Sequence, residues 1–272
     1  MTTVAAALKE TTEAIRAAAQ EEAPQQARIL LAHVLGVPVG TLALCREKTL
    51  TSAQNELLCA LIARRQAREP LQYILGAWSF MGLPFVVRPG VLIPRPETEL
   101  LCETALRLAK ENGYETALDL CCGTGCVGVA LAKIGSLRVT ASDCEADCVT
   151  LTKENAAKND VSLTVLQGDW FSPHTERFDM IVCNPPYLTA EDMRALQEEL
   201  RYEPLRALFG GEDGLCAYRI IAERYREYLN AGGALILEVG HKQAEDVRTL
   251  LGGQAEVLED LSGIHRVVYL QI

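Results

Sequence analysis

From Ala117 onward, short apolar runs alternate with helical segments, and few folds accommodate that order. ALDLC (117–121), RVTASD (138–143), SLTVLQ (162–167), FDMIVC (178–183) and ALILEV (234–239) are runs of the buried-strand type. Helical segments separate most of them, at about 126–134, 146–159, 213–228 and 242–251. The alternation predicts an α/β domain with a doubly wound, mainly parallel sheet. Its ligands belong at the carboxyl ends of the strands. EVLEDL and HRVVYL near the end add an edge hairpin.

The first part of the chain has another texture. Ala27, Leu30, Leu31, Val34 and Leu35 form one helical stripe, and Gly36 offers a C-terminal cap. Thr51 and Gln54 make a capping box ahead of Leu57, Leu58, Leu61 and Ile62. Residues 1–72 therefore read as a small N-terminal helical bundle. Residues 73–93 hold two β-rich runs, Tyr73 to Leu75 and Phe85 to Val87, broken by Gly76, Gly82 and Pro84. They read as a β-hairpin linker, with the main domain over 94–272. Pro94, Pro96, Glu97 and Glu99 suit a helix N-terminus.

Composition narrows the function classes. No stretch approaches the roughly 18 uninterrupted apolar residues of a membrane helix, and Lys9, Glu10 and Glu13 interrupt any signal-peptide core. A cytoplasmic protein with no membrane partner is expected. The ten cysteines include no C-x-x-C pair, so reduced thiols and no metal are expected. Cys45, Cys59 and Cys102 read as small buried hydrophobes. A net charge of −10 disfavours nucleic acid as the main partner and leans towards protein or small-molecule substrates.

Asp119-Leu120-Cys121-Cys122-Gly123-Thr124-Gly125 ends one strand and opens a helix. Gly123 and Gly125 let the backbone turn close to a ligand, and N–H groups at the helix start can meet its polar atoms. Asp143, 24 residues after Asp119 and at the end of the next strand, is placed to accept the ribose hydroxyls of an adenosine. Two details favour S-adenosylmethionine over a dinucleotide. The glycine spacing of dinucleotide loops fits only if read one turn too deep, through Gly128. Asp119 would repel a pyrophosphate, yet could anchor an amino group.

Asn184-Pro185-Pro186-Tyr187 directly follows FDMIVC, beside that loop. An amide or aromatic amine nitrogen is a poor nucleophile because its lone pair is delocalised. The Asn184 oxygen and a backbone carbonyl, that of Pro185, can accept its two N–H bonds and localise the lone pair. Pro185 and Pro186 hold those acceptors rigidly. Tyr187 offers a flat face to a planar group and favours a nearby cation. Catalysis by positioning and electrostatics needs no strong base. His33, His174, His241 and His265 have no triad-like setting.

Over nearly its whole length the chain resembles the HemK/PrmC family of protein-glutamine N5 methyltransferases. The matching segments are ARILLAHVLG, PLQYILG, VLIPRPETE (91–99), the glycine loop, QGDWF, NPPY, EPLRALFGGEDGL (203–215) and LSGIHRVV. NPPY alone is shared with DNA and RNA amino-methyltransferases, whereas VLIPRPETE with EPLRALFGGEDGL is far more specific. The resemblance implies a Rossmann-like class I fold with a seven-stranded sheet and S-adenosylmethionine as cofactor. The substrate implied is the glutamine of the Gly-Gly-Gln motif of class I peptide-chain release factors, bound by a monomer with help from the N-terminal helices. It also implies that Cys121, Cys122, Gly123, Thr124 and Gly125 wrap the methionine end and that Asp143 binds the ribose. Trp170 lies along the adenine with Asp169 beside it, and Asn184 serves both cofactor and substrate. Alternatives are glutamine methylation of a ribosomal protein, amino-methylation of adenine or cytosine in nucleic acid, and a cofactor-binding scaffold without activity. The family usually has glycine at the position of Cys121, where a thiol is tolerated if φ is negative.

Overall fold

Capped amphipathic helices build the first part of the chain. Thr3 accepts a bond from the Ala6 N–H and starts α1 (Val4–Ala19), whose Ala7, Thr11, Ile15 and Ala18 lie on one buried face. α2 (Ala23–Leu35) has Pro24 in its first turn and ends at Gly36 in the left-handed region. The capping box at Thr51 and Gln54 is reciprocal and opens α3 (Ser52–Gln66). Leu58 and Leu61 are buried there, while Leu57 and Cys59 are exposed, so Cys59 is not the core residue expected.

The structure, a computed structural model, describes residues 2–272 and divides into two units. The first comprises residues to Gly76 together with Gln197–Tyr202; the second comprises Ala77–Leu196 and Glu203–Ile272. Arg65 explains why a distant segment joins the first unit. It is buried, donating to Gln26 Oε1 at 2.8 Å, to the Ala18 carbonyl at 3.0 Å and to Glu199 Oε1 at 3.2 Å. A buried guanidinium needs such partners to offset its lost hydration.

The expected linker over residues 73–93 is corrected on two counts. Tyr73 to Leu75 are not extended: they lie in α4 (Leu71–Leu75), which Pro70 starts and Gly76 ends. Arg64 accounts for this, donating to the Tyr73 and Ile74 carbonyls at the end of the short helix. The hairpin itself, β1 (Ala77–Phe80) and β2 (Leu83–Val86), belongs to the second unit. Met81 and Gly82 turn it with positive φ.

The second unit carries a seven-stranded sheet. α5 (Glu97–Asn112) leads to β3 (Thr116–Leu120), α6 (Cys126–Gly135), β4 (Arg138–Asp143), α7 (Ala146–Lys158), β5 (Thr164–Gln167) and β6 (Phe178–Cys183). Then come α8 (Ala190–Arg194), α9 (Cys216–Tyr228), β7 (Leu229–Glu238), α10 (Ala244–Leu250), β8 (Glu256–Glu259) and β9 (His265–Gln271). Spatial order is β5-β4-β3-β6-β7-β9-β8, parallel except for β9, which runs antiparallel to both of its neighbours. This is the doubly wound α/β sheet that the alternation predicts.

Alternate strand residues feed two cores. Met180 and Val182 pack with Leu101 and Leu108 of α5 and Val129 of α6. Ile181 and Cys183 pack with Tyr218, Ile221 and Tyr225 of α9. Asn155 of α7 clips the hairpin on, accepting from the Val86 N–H and donating to its carbonyl. β7 starts five residues before the expected 234, because Asn230, Gly232 and Gly233 interrupt the apolar pattern without ending the strand. Among the described residues, no single helix is long and apolar enough to cross a membrane.

Candidate active site

Strand order reverses between β3 and β6, since the chain passes from β3 to β4 on one side and reaches β6 on the other. Such a switch point opens a crevice at the carboxyl ends of the two strands. A cavity of about 490 Å³ lies there. Of the expected site residues, Asp119, Cys121, Cys122, Gly123, Thr124, Asp143, Asp169, Trp170, Asn184 and Pro186 line it. Gly125, Pro185 and Tyr187 do not. Gly125 shapes the turn behind the wall, Pro185 is buried, and the half-buried Tyr187 ring packs near Gly240.

β3 ends at Leu120, so Cys121 leaves the sheet, with φ +62°. The condition expected for a thiol there, a negative φ, is not met: the position has the left-handed conformation that favours the family's usual glycine. A hydrogen bond with the neighbouring Cys183 thiol, together with burial, holds the Cys121 thiol well above its ordinary pKa, as a neutral group. Gly123 and Gly125 also have positive φ. At Gly125 a Cβ would lie 2.6 Å from the Thr152 side chain. Thr152 and Asn155, both buried on α7, donate to the Gly123 and Thr124 carbonyls. Two polar residues within a helix thus hold the glycine loop, and no sequence pattern singled them out.

Asp119 is buried, accepting from the Gly128 N–H at 2.8 Å. Burial, opposed by that bond and reinforced by Asp143, raises its pKa to about 7. Gly128 is the residue that lets α6 approach, since a Cβ there would stand 2.9 Å from Asp119 Oδ2. Asp143 accepts from the Gly123 N–H and the Glu145 N–H, both at 3.0 Å, which fixes both carboxylate oxygens at the cavity wall. Trp170 lines the wall with a positive φ of 47°.

On the β6 side, Asn184 Nδ2 donates to Thr98 Oγ1 at 3.1 Å. Thr98 lies in the first turn of α5, and Glu238 at the end of β7 is a buried acid whose pKa is raised to about 7 by burial. The Tyr187 carbonyl accepts from Gln243 Nε2 at 2.9 Å, while Gln243 Oε1 accepts from the Gly240 N–H. Gly210 packs directly on the motif, because a Cβ there would lie 2.7 Å from the Pro186 carbonyl oxygen and from Tyr187 Cα. The Leu188 and Gly210 N–H groups donate to the Leu208 and Leu188 carbonyls. Glu203 is buried, accepts from the Ile93 N–H at 2.9 Å and pairs with Arg95. Two stretches more than a hundred residues apart, VLIPRPETE and EPLRALFGGEDGL, are therefore one supporting frame for NPPY.

Residues 6–76 match the family model "PrmC N-terminal domain", and residues 96–212 match "Methyltransferase small domain". A release factor glutamine methyltransferase from Geobacter sulfurreducens is 42% identical, over 91% of this chain and 89% of its own length. One from Vibrio cholerae is 38% identical, over 97% and 95%. Among solved structures, a methyltransferase from Pyrococcus furiosus shares the fold at 14% identity with a TM-score of 0.53, covering 81% of this chain and 98% of that one. Identity of this extent, end to end across both regions, places the chain in the release factor glutamine methyltransferase family.

Proposed function

We propose that the chain transfers a methyl group from S-adenosylmethionine to the side-chain amide nitrogen of a glutamine, that of the Gly-Gly-Gln motif in class I peptide-chain release factors. One observation carries the reading: the Asn184 oxygen is free of the Thr98 bond, in the same cavity as Asp119 and Asp143. The cavity's volume of about 490 Å³ suits a nucleoside-sized ligand. Its chemistry suits this one. Asp119 is a buried carboxylate held near neutrality, which a cationic amino group would stabilise in its charged form. Asp143 is a fixed double acceptor for ribose hydroxyls. Cys121, Cys122, Gly123 and Thr124 line the methionine end, Asp169 and Trp170 the adenine end, and Gly125 makes the turn between loop and helix.

The bound cofactor supplies an electrophilic methyl group on a sulfonium. The chain's own residues do the rest. Asn184 Oδ1 and a backbone carbonyl of the Pro185-Pro186 turn accept the two N–H bonds of the substrate amide and aim its lone pair. Pro185 and Pro186 hold these acceptors, and Tyr187, anchored through its carbonyl by Gln243, sets the path of the turn. The N–C bond forms as the methyl–sulfur bond breaks, its electron pair going to the sulfur of the departing thioether, and the surplus amide proton is released to bulk water. Rigid acceptors that need no rearrangement during the reaction are the main source of rate. A net charge of −10 supports a protein substrate rather than nucleic acid.

Incubation of the purified chain with S-adenosylmethionine and a recombinant class I release factor should add one methyl to that glutamine, read by peptide mass spectrometry. Replacing the glutamine by glutamate should abolish transfer, since a carboxylate has neither N–H to hold nor nitrogen to attack. Label in a ribosomal protein, tRNA or DNA, with the release factor unmodified, would falsify the substrate assignment.

A further inference from the structure

Asp169 and Trp170 lie in a loop, residues 168–174, that leaves the sheet after β5 and comes back against β4. Both of its ends are tied to consecutive residues there. At the first end the Gly168 N–H donates to the Asp143 carbonyl at 3.1 Å. At the other, His174 Nε2 lies 2.9 Å from Ser142 Oγ, and the two side chains share one hydrogen bond whichever atom carries the proton. Ser142 is 1% exposed and His174 6%.

Between these ties the loop is tightly wound. The Ser172 and His174 N–H groups donate to the Asp169 and Phe171 carbonyls. Pro173 packs so closely on Gly168 that a Cβ there would lie 2.6 Å from its ring. Phe171 is fully buried and stacks on Tyr228, with ring centroids 4.7 Å apart. Trp170, in the middle, holds a φ of +47°, which a residue with a side chain keeps only where its surroundings impose it.

We propose that His174, through its bond to Ser142, is the positioning residue that holds Asp169 and Trp170 as the wall for the cofactor's adenine. The proposal rests on the reading of those two residues as that wall. It goes beyond the reading by giving a purpose to a histidine outside the cavity.

A nucleophilic role for the pair does not fit. A serine is activated by a histidine that a third group orients, and among the described residues no carboxylate bonds the His174 ring. The ring stands edge-on to Phe178 instead, at a centroid separation of 6.1 Å. Burial lowers its pKa, so it meets Ser142 as a neutral group. Filling space does not require the imidazole either, since a leucine would pack against Phe178 with no polar atom to desolvate. What the histidine adds is one directed bond, to the residue beside Asp143. The wall for adenine and the carboxylate for ribose are thereby fixed to the same strand end.

Calorimetry of the full-length chain with the demethylated cofactor, S-adenosylhomocysteine, tests this, with single-turnover transfer at saturating S-adenosylmethionine measured in parallel. His174→Leu and Ser142→Ala each remove the bond and keep most of the packing. Each should weaken binding about tenfold, the scale of one buried hydrogen bond, while the saturated rate and the KM for release factor stay within about twofold of wild type. The double variant should bind no more weakly than the weaker single one, because both act on the same bond. His174→Gln, whose amide can still reach Ser142, should recover part of the affinity. In a Trp78→Phe background Trp170 is the only tryptophan, and its fluorescence should be quenched more readily by acrylamide in His174→Leu without cofactor. Ser142→Ala removes a single oxygen and remains informative if His174→Leu lowers Tm. Wild-type affinity in either single variant, losses that multiply in the double, or unchanged quenching of Trp170 overturns the proposal. Trp170→Ala separates the two levels. If it weakens binding while His174→Leu does not, only the tether fails. If it binds normally, the adenine-wall reading fails, and the tether with it.

Discussion

The ligand role proposed for Asp119 would come at the expense of the free protein. Its folded pKa, about 7, lies above the ordinary carboxylate value because burial disfavours the charge. Between those two values the folded state holds a proton that the unfolded chain has released. Stability therefore falls as pH rises through this window. Asp119→Asn removes the titration and keeps an acceptor for the Gly128 N–H. Without cofactor, the variant should match the wild type near pH 4 and exceed it at pH 8 by on the order of a few kcal/mol. Denaturant unfolding across that range measures the difference, and equal stability of the two proteins at pH 8 would sink the account. With cofactor the order should reverse, because the asparagine has no charge to pair with an amino group.

At the scale of elements, the NPPY turn is rigid because other segments press on it. Gly210 has no positive φ, so its side chain is absent for room rather than for conformation: backbone atoms of Pro186, Tyr187 and Gly214 occupy the space of a Cβ. These atoms cannot swing aside as a flexible side chain would. Gly210→Ala should cost about 1–3 kcal/mol by overpacking and should slow transfer by displacing the Pro186 carbonyl. Thermal melts and single-turnover rates check both effects. An alanine variant with unchanged Tm and rate would show that the segment yields easily.

For the molecule as a whole, Gln197–Tyr202 is counted with the first unit although the segments on either side of it belong to the second. Arg65 and Arg68 hold it through Glu199, and the Tyr202 hydroxyl donates to the Ala67 carbonyl at 2.5 Å. Burial works against the Glu199 charge, but a backbone N–H and the two arginines prevail and hold its pKa below the usual carboxylate value. Its stabilisation is complete above the unfolded pKa and is lost as pH falls through the lower folded one. Glu199→Ala should cost about 1–2 kcal/mol, discounted for the acid's partial exposure, and this deficit should vanish in acid. Hydrogen exchange should show Gln197–Tyr202 losing protection in the variant at neutral pH. Unchanged exchange there would mean that the ion pairs do not hold the segment.

By itself the sequence determined the α/β class, the doubly wound sheet and the bundle, because the period of the apolar residues follows from which faces can be buried. It also determined the carboxyl-end position of the glycine loop, Asp143 and NPPY, because each ends or directly follows a strand. Residues 73–75 misled, since a β-rich tripeptide between Pro70 and Gly76 becomes helical when Arg64, nine and ten positions earlier, satisfies its carbonyls. Cys121 was legible as a departure, but not its conformation, which depends on where β3 stops. Only the tertiary structure brought Thr98, Glu203, Gly210, Glu238 and Gln243 around NPPY. Those residues come from a helix turn, two loops, a strand end and a segment near α10. Hydrogen bonds and close packing act over a few ångströms of space, whereas sequence patterns report only neighbours along the chain.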